Sequence, residues 1–465
     1  MVKSLTEGKP LKLILVFMLP IFIGNVFQQL YSMVDAVIVG RTLGELALGG
    51  VGATGPLTFL IFGFAQGLTA GFAIVTSQFF GRHDESGVKR SVAAAFVLCV
   101  ALTVVLTAIS CLCAKPLLRL MNTPESIIGY AYDYLISLFI GMFATVFYNI
   151  LASILRAVGD SRTPLVFLII TSAPNVGLDF LFILVFKTGV AGAGWATVVS
   201  QVISGIACLI YMLIKYPALR VSAKDFKGIG RVSLKELWVG LPMALQFSIT
   251  AIGVIAQQTA LNGFGDVAVS ACSAAFKIDN VATQSLAALG TAMATYAGQN
   301  YGAGRHDRIK SGVRAGLLID AVFSAAGLVL VLAFNEILLK LFIESPTDEM
   351  IYYSKTYLIF QAAFYFILGM VFLYRNTLQG MGCSLLTVIA GVAEVAMRFI
   401  AVFLFVKWWD YTGLCMSNPT AWIGATVYLV IAYYAVMHRR MKGTSVHEAN
   451  ENPSDSVEKP IGNPE

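Results

Sequence analysis

Twelve stretches of this chain stay apolar for roughly 20 residues each, and a chain built this way has few folds open to it. In lipid no water pairs with backbone N–H and C=O groups, so each stretch must satisfy its own backbone as a helix. The spans cover approximately residues 12–39, 49–76, 90–112, 131–155, 164–186, 190–214, 237–262, 267–296, 314–335, 352–378, 384–406 and 419–437. Composition agrees: 57% of residues are hydrophobic and 12% charged, against about 25% charged in soluble chains. The expected fold class is all-α integral membrane, with twelve transmembrane helices. The first span lacks the short apolar core and small-residue cleavage site of a signal peptide, so it reads as a retained helix.

An even number of spans puts both termini on one side, and Lys and Arg decide which. The N-terminus carries Lys3, Lys9 and Lys12. Arg82, Lys89, Arg90, Arg156 and Arg162 fall in even-numbered links, and six more lie between Lys215 and Lys235. Arg305, Arg308, Lys310, Arg314, Arg439, Arg440 and Lys442 complete 21 on that side, against six on the other (Arg41, Lys115, Arg119, Lys187, Lys340 and Lys407). Both termini are therefore expected in the cytoplasm of a multi-pass plasma-membrane protein. The net charge of +6 follows from this orientation and not from nucleic-acid binding. The seven cysteines show no metal spacing and read as small packing residues.

The chain repeats itself at an offset of about 222 residues. Leu19-Pro20-Ile21 matches Leu241-Pro242-Met243, Ser77-Gln78-Phe79 matches Gly298-Gln299-Asn300, and Leu155-Arg156-Ala157 matches Leu378-Gln379-Gly380. Six spans per half give both halves one orientation, related by a pseudo-two-fold axis along the membrane normal. The expected layout is an N-terminal six-helix lobe (1–220), a C-terminal six-helix lobe (221–440) and a disordered cytoplasmic tail (441–465). A cleft between two like bundles suits alternating access by rocking.

The ionisable groups inside the spans locate the chemistry. Pro174-Asn175-Val176-Gly177-Leu178-Asp179 lies in the middle of the fifth span. Asn175 and Asp179, four residues apart, share a helical face, and Pro174 frees the carbonyl of Ile170. A carboxyl in lipid costs at least ~2.5–3.5 kcal/mol on the lenient insertion scale, so it is seldom there without a role. The first span carries a one-sided stripe of Asn25, Gln28, Ser32 and Asp35, with Tyr31 one turn before the acid. At ~1.5 Å per residue, Asp35, Asp179 and Thr197 all fall within roughly 10 Å of the outer surface, with Asn175 a turn deeper. Such oxygens suit either a hard-cation site or a proton-sharing pair of acids. The plain alternative for Asp35 is a helix end fraying into water.

The second half differs at the matching places. Its stripe is Gln246, Thr250 and Gln257, without an acid, and its eleventh span carries Glu394 and Arg398, an i,i+4 pair that reads as a structural bridge. Lys277, at similar depth, either joins that charge network or lines a cavity and discourages cationic cargo. Arg375 is near enough to the cytoplasmic end of its helix to snorkel. Asp279 and Asp320 receive no assignment.

On these residues the chain resembles the multidrug and toxic compound extrusion (MATE) transporters over about residues 10–440. The features that carry the likeness are the two six-span halves, Asp35-Ala36-Val37-Ile38-Val39-Gly40 closing the first helix, Asn175-x-x-x-Asp179, and the loop Gly298-Gln299-Asn300-Tyr301-Gly302-Ala303-Gly304. The resemblance implies that Asp35, Asn175, Asp179 and Thr197 surround a coupling ion, with Gln28 and Tyr31 as neighbours. The pattern looks closer to the MepA and DinF branch than to the NorM branch, which carries acids where this chain has Thr250 and the segment Phe366 to Val371.

The function expected from the resemblance is secondary antiport, in which inward H⁺ or Na⁺ drives export of amphipathic, cationic drugs or toxins. The protein is expected to need no cofactor, to act as a monomer and to catalyse no reaction. A nucleotide-driven pump is disfavoured because no Gly-rich loop ends in Gly-Lys-Ser/Thr. Two rivals remain. A flippase for lipid-linked sugars would line its cleft with several arginines, and a membrane scaffold or receptor would not need the first-half acids.

Overall fold

The structure, a computed structural model, describes residues 4–340, 343 and 346–451. Sixteen α-helices and no strand occur among these residues. In the first half they are α1 (Pro10–Leu43), α2 (Glu45–Ala53), α3 (Gly55–Gly81), α4 (Glu85–Leu120), α5 (Glu125–Ile140), α6 (Met142–Ala157), α7 (Arg162–Phe180) and α8 (Val190–Lys215). In the second they are α9 (Gly230–Asn262), α10 (Asp266–Gly302), α11 (His306–Lys340), α12 (Asp348–Ala363), α13 (Tyr365–Gly380), α14 (Ser384–Ile400), α15 (Val406–Cys415) and α16 (Ser417–Glu451). Of the expected tail, residues 452–465 lie outside the described residues.

The twelve expected spans map onto these helices. Among the described residues nine segments are long and apolar enough to cross a bilayer, and two bent pairs add two more: α5 with α6 at 50° and α12 with α13 at 49°. The remaining span, the eighth, is α10, whose 37 residues include Asp266, Lys277 and Asp279. The second span differs from expectation. It starts at Glu45 and breaks at Thr54, because Pro56 opens α3 without an N–H to continue the preceding helix. The outer belt is apolar, with Leu112 78%, Ile214 71% and Phe403 70% exposed, as a lipid-facing surface requires.

The internal repeat is visible in the backbone. Short π-helical turns follow the fifth span of each half, at Leu181–Val185 and Ala401–Phe405, and the two bends fall at Gly141 and Phe364. A proline sits inside the first helix of each half, Pro20 and Pro242.

Between helices already in lipid, association rests on close packing and not on release from water, so small residues matter at contacts. Along α3 and α9, Gly67, Gly71 and Gly240 let the backbones nearly touch; a Cβ on Gly67 would lie 2.7 Å from the Cα of Ala244. The first helix of each half thus leans on the opposite half. Ile14, Phe17, Met18 and Ile21 of α1 belong to a core built mainly by α10 to α16. Val239 and Met243 of α9 pack with Ile74 and Val75 of α3.

Candidate functional site

The far half of α1 turns back to its own half, where it packs against α7, which in turn lies beside α8. This places Asp35 on α1 next to Asp179 on α7, and the two carboxyls interact directly, side chain to side chain. Asp35 is buried, and Asp179 and Asn175 are fully so. On α8, Thr197 accepts a long hydrogen bond from Tyr31 Oη at 3.4 Å. Tyr134 of α5 stands within electrostatic reach of both acids.

These groups are short of partners. Asp35 Oδ1, both oxygens of Asp179, both polar atoms of the Asn175 amide, Ser200 Oγ and Gln201 Oε1 are buried without a hydrogen bond. Burying such atoms unsatisfied costs roughly 1–3 kcal/mol each, so a cluster of them has the capacity to take up a cation or a proton. Two facing carboxyls resist double ionisation and take up either readily. Among the described residues no group of three or more His, Cys, Asp or Glu side chains could hold a metal. A sodium ion would need the mixed set of two carboxylates, an amide and a hydroxyl.

A cavity of about 1220 Å³ adjoins the pair. Gln28, Tyr31, Asp35 and Thr197 line it, while Asp179 and Asn175 sit behind that wall. Aromatic and amide side chains supply much of the rest, including Phe62, Gln66, Tyr134 and Tyr148. Lys277 of α10 reaches the same cavity.

The second-half charges cluster elsewhere. Glu394 Oε1 accepts from Arg398 Nη2 at 3.1 Å, and Glu394 Oε2 lies 3.8 Å from Arg375 Nη1. Arg375 therefore turns inward, fully committed to the bundle, instead of snorkelling to the cytoplasm. Gln246 meets its guanidinium, 3.0 Å from Nε. Two arginines around one glutamate leave a net positive charge buried between α9, α13 and α14. Asp279 accepts from Tyr365 Oη at 2.8 Å, and Asp320 from Ser324 Oγ at 3.0 Å.

At the end that carries the termini the cleft is shut. Gln78 Nε2 donates to the Gly380 carbonyl (2.9 Å), and Gln299 Nε2 donates to the Ala157 carbonyl (2.8 Å). Lys235 Nζ holds the Gln78 oxygen at 2.8 Å, and the Leu5 N–H holds the Gln299 oxygen at 2.8 Å. A Cβ at Gly81 would collide with the Gln299 carbonyl, and one at Gly302 with that of Gln78. Nearby Glu236 of α9, fully buried, accepts from Ser91 Oγ of α4 at 2.7 Å. In the sequence the glutamines of this closure stand out only as repeat markers, and Tyr134, Ser200, Gln201 and Glu236 carry no local pattern to single them out.

Comparison with known proteins completes the picture. The MatE family model matches residues 20–181 and 241–404. A probable multidrug resistance protein of Bacillus subtilis, YpnP, is 31% identical over 410 residues, covering 88% of this chain and 91% of that protein. The multidrug export protein MepA of Staphylococcus saprophyticus is 20% identical over 84% of the chain and 86% of its own length. A Thermotoga maritima protein named NorM reaches 24% over 87% of each, so identity does not divide this chain from the NorM branch. Among solved structures, an outward-facing multidrug resistance MATE family transporter superposes with a TM-score of 0.85 at 23% identity, covering 95% of this chain and 98% of that one.

Proposed function

The chain belongs to the MATE family of membrane transporters, and from that premise we propose that it is a secondary antiporter exporting amphipathic, cationic drugs or toxins in exchange for inward H⁺ or Na⁺. The observation that carries the reading is the Asp35–Asp179 pair, short of hydrogen bonds, beside a cavity large enough for an organic molecule. Cavities of roughly 300–1,000 Å³ already hold drug-sized ligands.

The proposed cycle uses both ends of the cleft. With the termini cytoplasmic, as the Lys and Arg asymmetry argues, the cavity faces outward and the Gln78 and Gln299 closure seals the inside. Ion uptake at Asp35 and Asp179, with Asn175 and Thr197 as additional oxygen ligands, removes the carboxylate repulsion. The far half of α1 then moves toward α7, with Pro20 as the bend point, and the contracting cavity expels its cargo to the outside. The two lobes rock, the inner closure breaks, and the ion leaves to the cytoplasm. One charge crossing 100 mV releases ~2.3 kcal/mol and one pH unit adds ~1.4 kcal/mol, either sufficient for tenfold accumulation.

The test is efflux of a fluorescent cationic dye from proteoliposomes under a pH or sodium gradient imposed alone. Asp179→Asn should abolish gradient-driven movement. Unchanged efflux in that variant would remove the assignment.

A further inference from the structure

We infer that Lys277 is a specificity-determining residue of the cavity, selecting amphipathic cargo that carries a carboxylate in addition to its cationic centre. The inference rests on the export reading above and names the cargo class that the same cavity takes.

The cavity walls come almost wholly from the first half. The second half contributes Lys277, Asn280 and Val281, which lie at i, i+3 and i+4 and so form one face of α10. Lys277 is exposed on that face. Among the described residues the lining carries four charged side chains: Asp35, Arg41, Glu45 and Lys277. Arg41 and Glu45 flank the Gly44 turn between α1 and α2, at the outer rim. Asp35 and Lys277 sit deeper. Asp35 is ~12 Å from the far end of α1 and Lys277 ~16 Å from the same end of α10, at ~1.5 Å per residue. One wall thus presents an acid and another a lysine at nearly the same level.

A cargo reaching both walls meets opposite charges. Its ammonium or iminium end is drawn to Asp35, and a carboxylate at the other end is drawn to Lys277. A simple cation gains the first contact and is repelled by the second charge. Hydrogen bonds to charged groups contribute roughly ten- to hundredfold in affinity when one partner is otherwise desolvated. Ion uptake at Asp35 would then release the cationic end first, since the ion acts at Asp35 and not on the opposite wall.

A zwitterionic rhodamine with a free carboxyl and its methyl ester form a matched pair, differing only in the anionic group. Binding of each is measured by fluorescence anisotropy with the full-length protein in nanodiscs, for the wild type, Lys277→Gln and Lys277→Arg. Gradient-driven uptake is followed in parallel. The wild type should bind the free acid at least tenfold more tightly than the ester. Lys277→Gln should bring that ratio close to one by weakening the acid and relieving the repulsion of the ester, and Lys277→Arg should restore it. Equal wild-type affinities, no binding of the acid, or a ratio unchanged in Lys277→Gln would overturn the inference. Binding with the expected ratio but no gradient-driven movement of either dye would instead overturn the export reading.

Discussion

Gln78 and Gln299 occupy the same position in the two halves, and each crosses to the opposite half to donate its amide to a backbone carbonyl, Gly380 for one and Ala157 for the other. The closure at the terminus end is therefore a reciprocal latch. Each hydrogen bond contributes about 0.5–1.5 kcal/mol. Replacing both glutamines by alanine should shift the balance toward an open inner side by roughly tenfold or more. A single cysteine at Thr291, which lines a small chamber just above the latch, reports this when the native cysteines are removed. Its labelling by an impermeant maleimide from the terminus side should rise in the double variant. No rise would show that the latch does not hold the cleft.

Gly81 and Gly302 let the latch close, because each backbone lies against the carbonyl of the other half's glutamine. Gly302→Val should block this approach and slow dye efflux at least tenfold, with dye binding to the cavity retained. Wild-type turnover would show that the contact is not required in the cycle.

Glu394 balances two buried arginines. Removing it leaves two uncompensated cations, and breaking such a pair costs about 3–5 kcal/mol. Glu394→Ala should lower the thermal unfolding temperature in detergent markedly, and the triple change to Arg375→Met, Glu394→Leu and Arg398→Met should recover much of the loss. Equal stability of the single variant and the wild type would assign the cluster another role.

Tyr31 and Thr197 are joined by a 3.4 Å hydrogen bond, at the long limit for such contacts. Tyr31→Phe should change efflux by less than about fivefold, far below the effect of Asp179→Asn. A loss equal to that of Asp179→Asn would put the Tyr31 hydroxyl in the ion site itself.

Helix number and site depth were legible because both depend on local regularities. A span announces itself by length and apolarity, and depth along a helix is a count of residues, which brought Asp35, Asp179 and Thr197 to one level. Bends were not legible, since the apolar run passes through Gly141 and Phe364 without a break. Arg375 was misplaced for a related reason. Its distance from the helix end allowed an exit to water, while its true partner Glu394 comes from another helix. Tyr134 is one tyrosine among 18, and only the packing of α5 brings it near the acids. Lys277 fell between two readings at the level of sequence, and its place on the cavity wall depends on how α10 is rotated.

The leaning of α1 onto α10 and of α9 onto α3 means that neither copy of the repeat finishes its own packing. Cut at the central link, one piece would present Phe17 and Met18 to fatty-acyl chains, and the other would keep a seam that only those side chains fill. A polypeptide of half this length could assemble the same architecture only as a couple trading leading helices, so carrying both copies in one chain makes permanent an exchange that would otherwise depend on concentration.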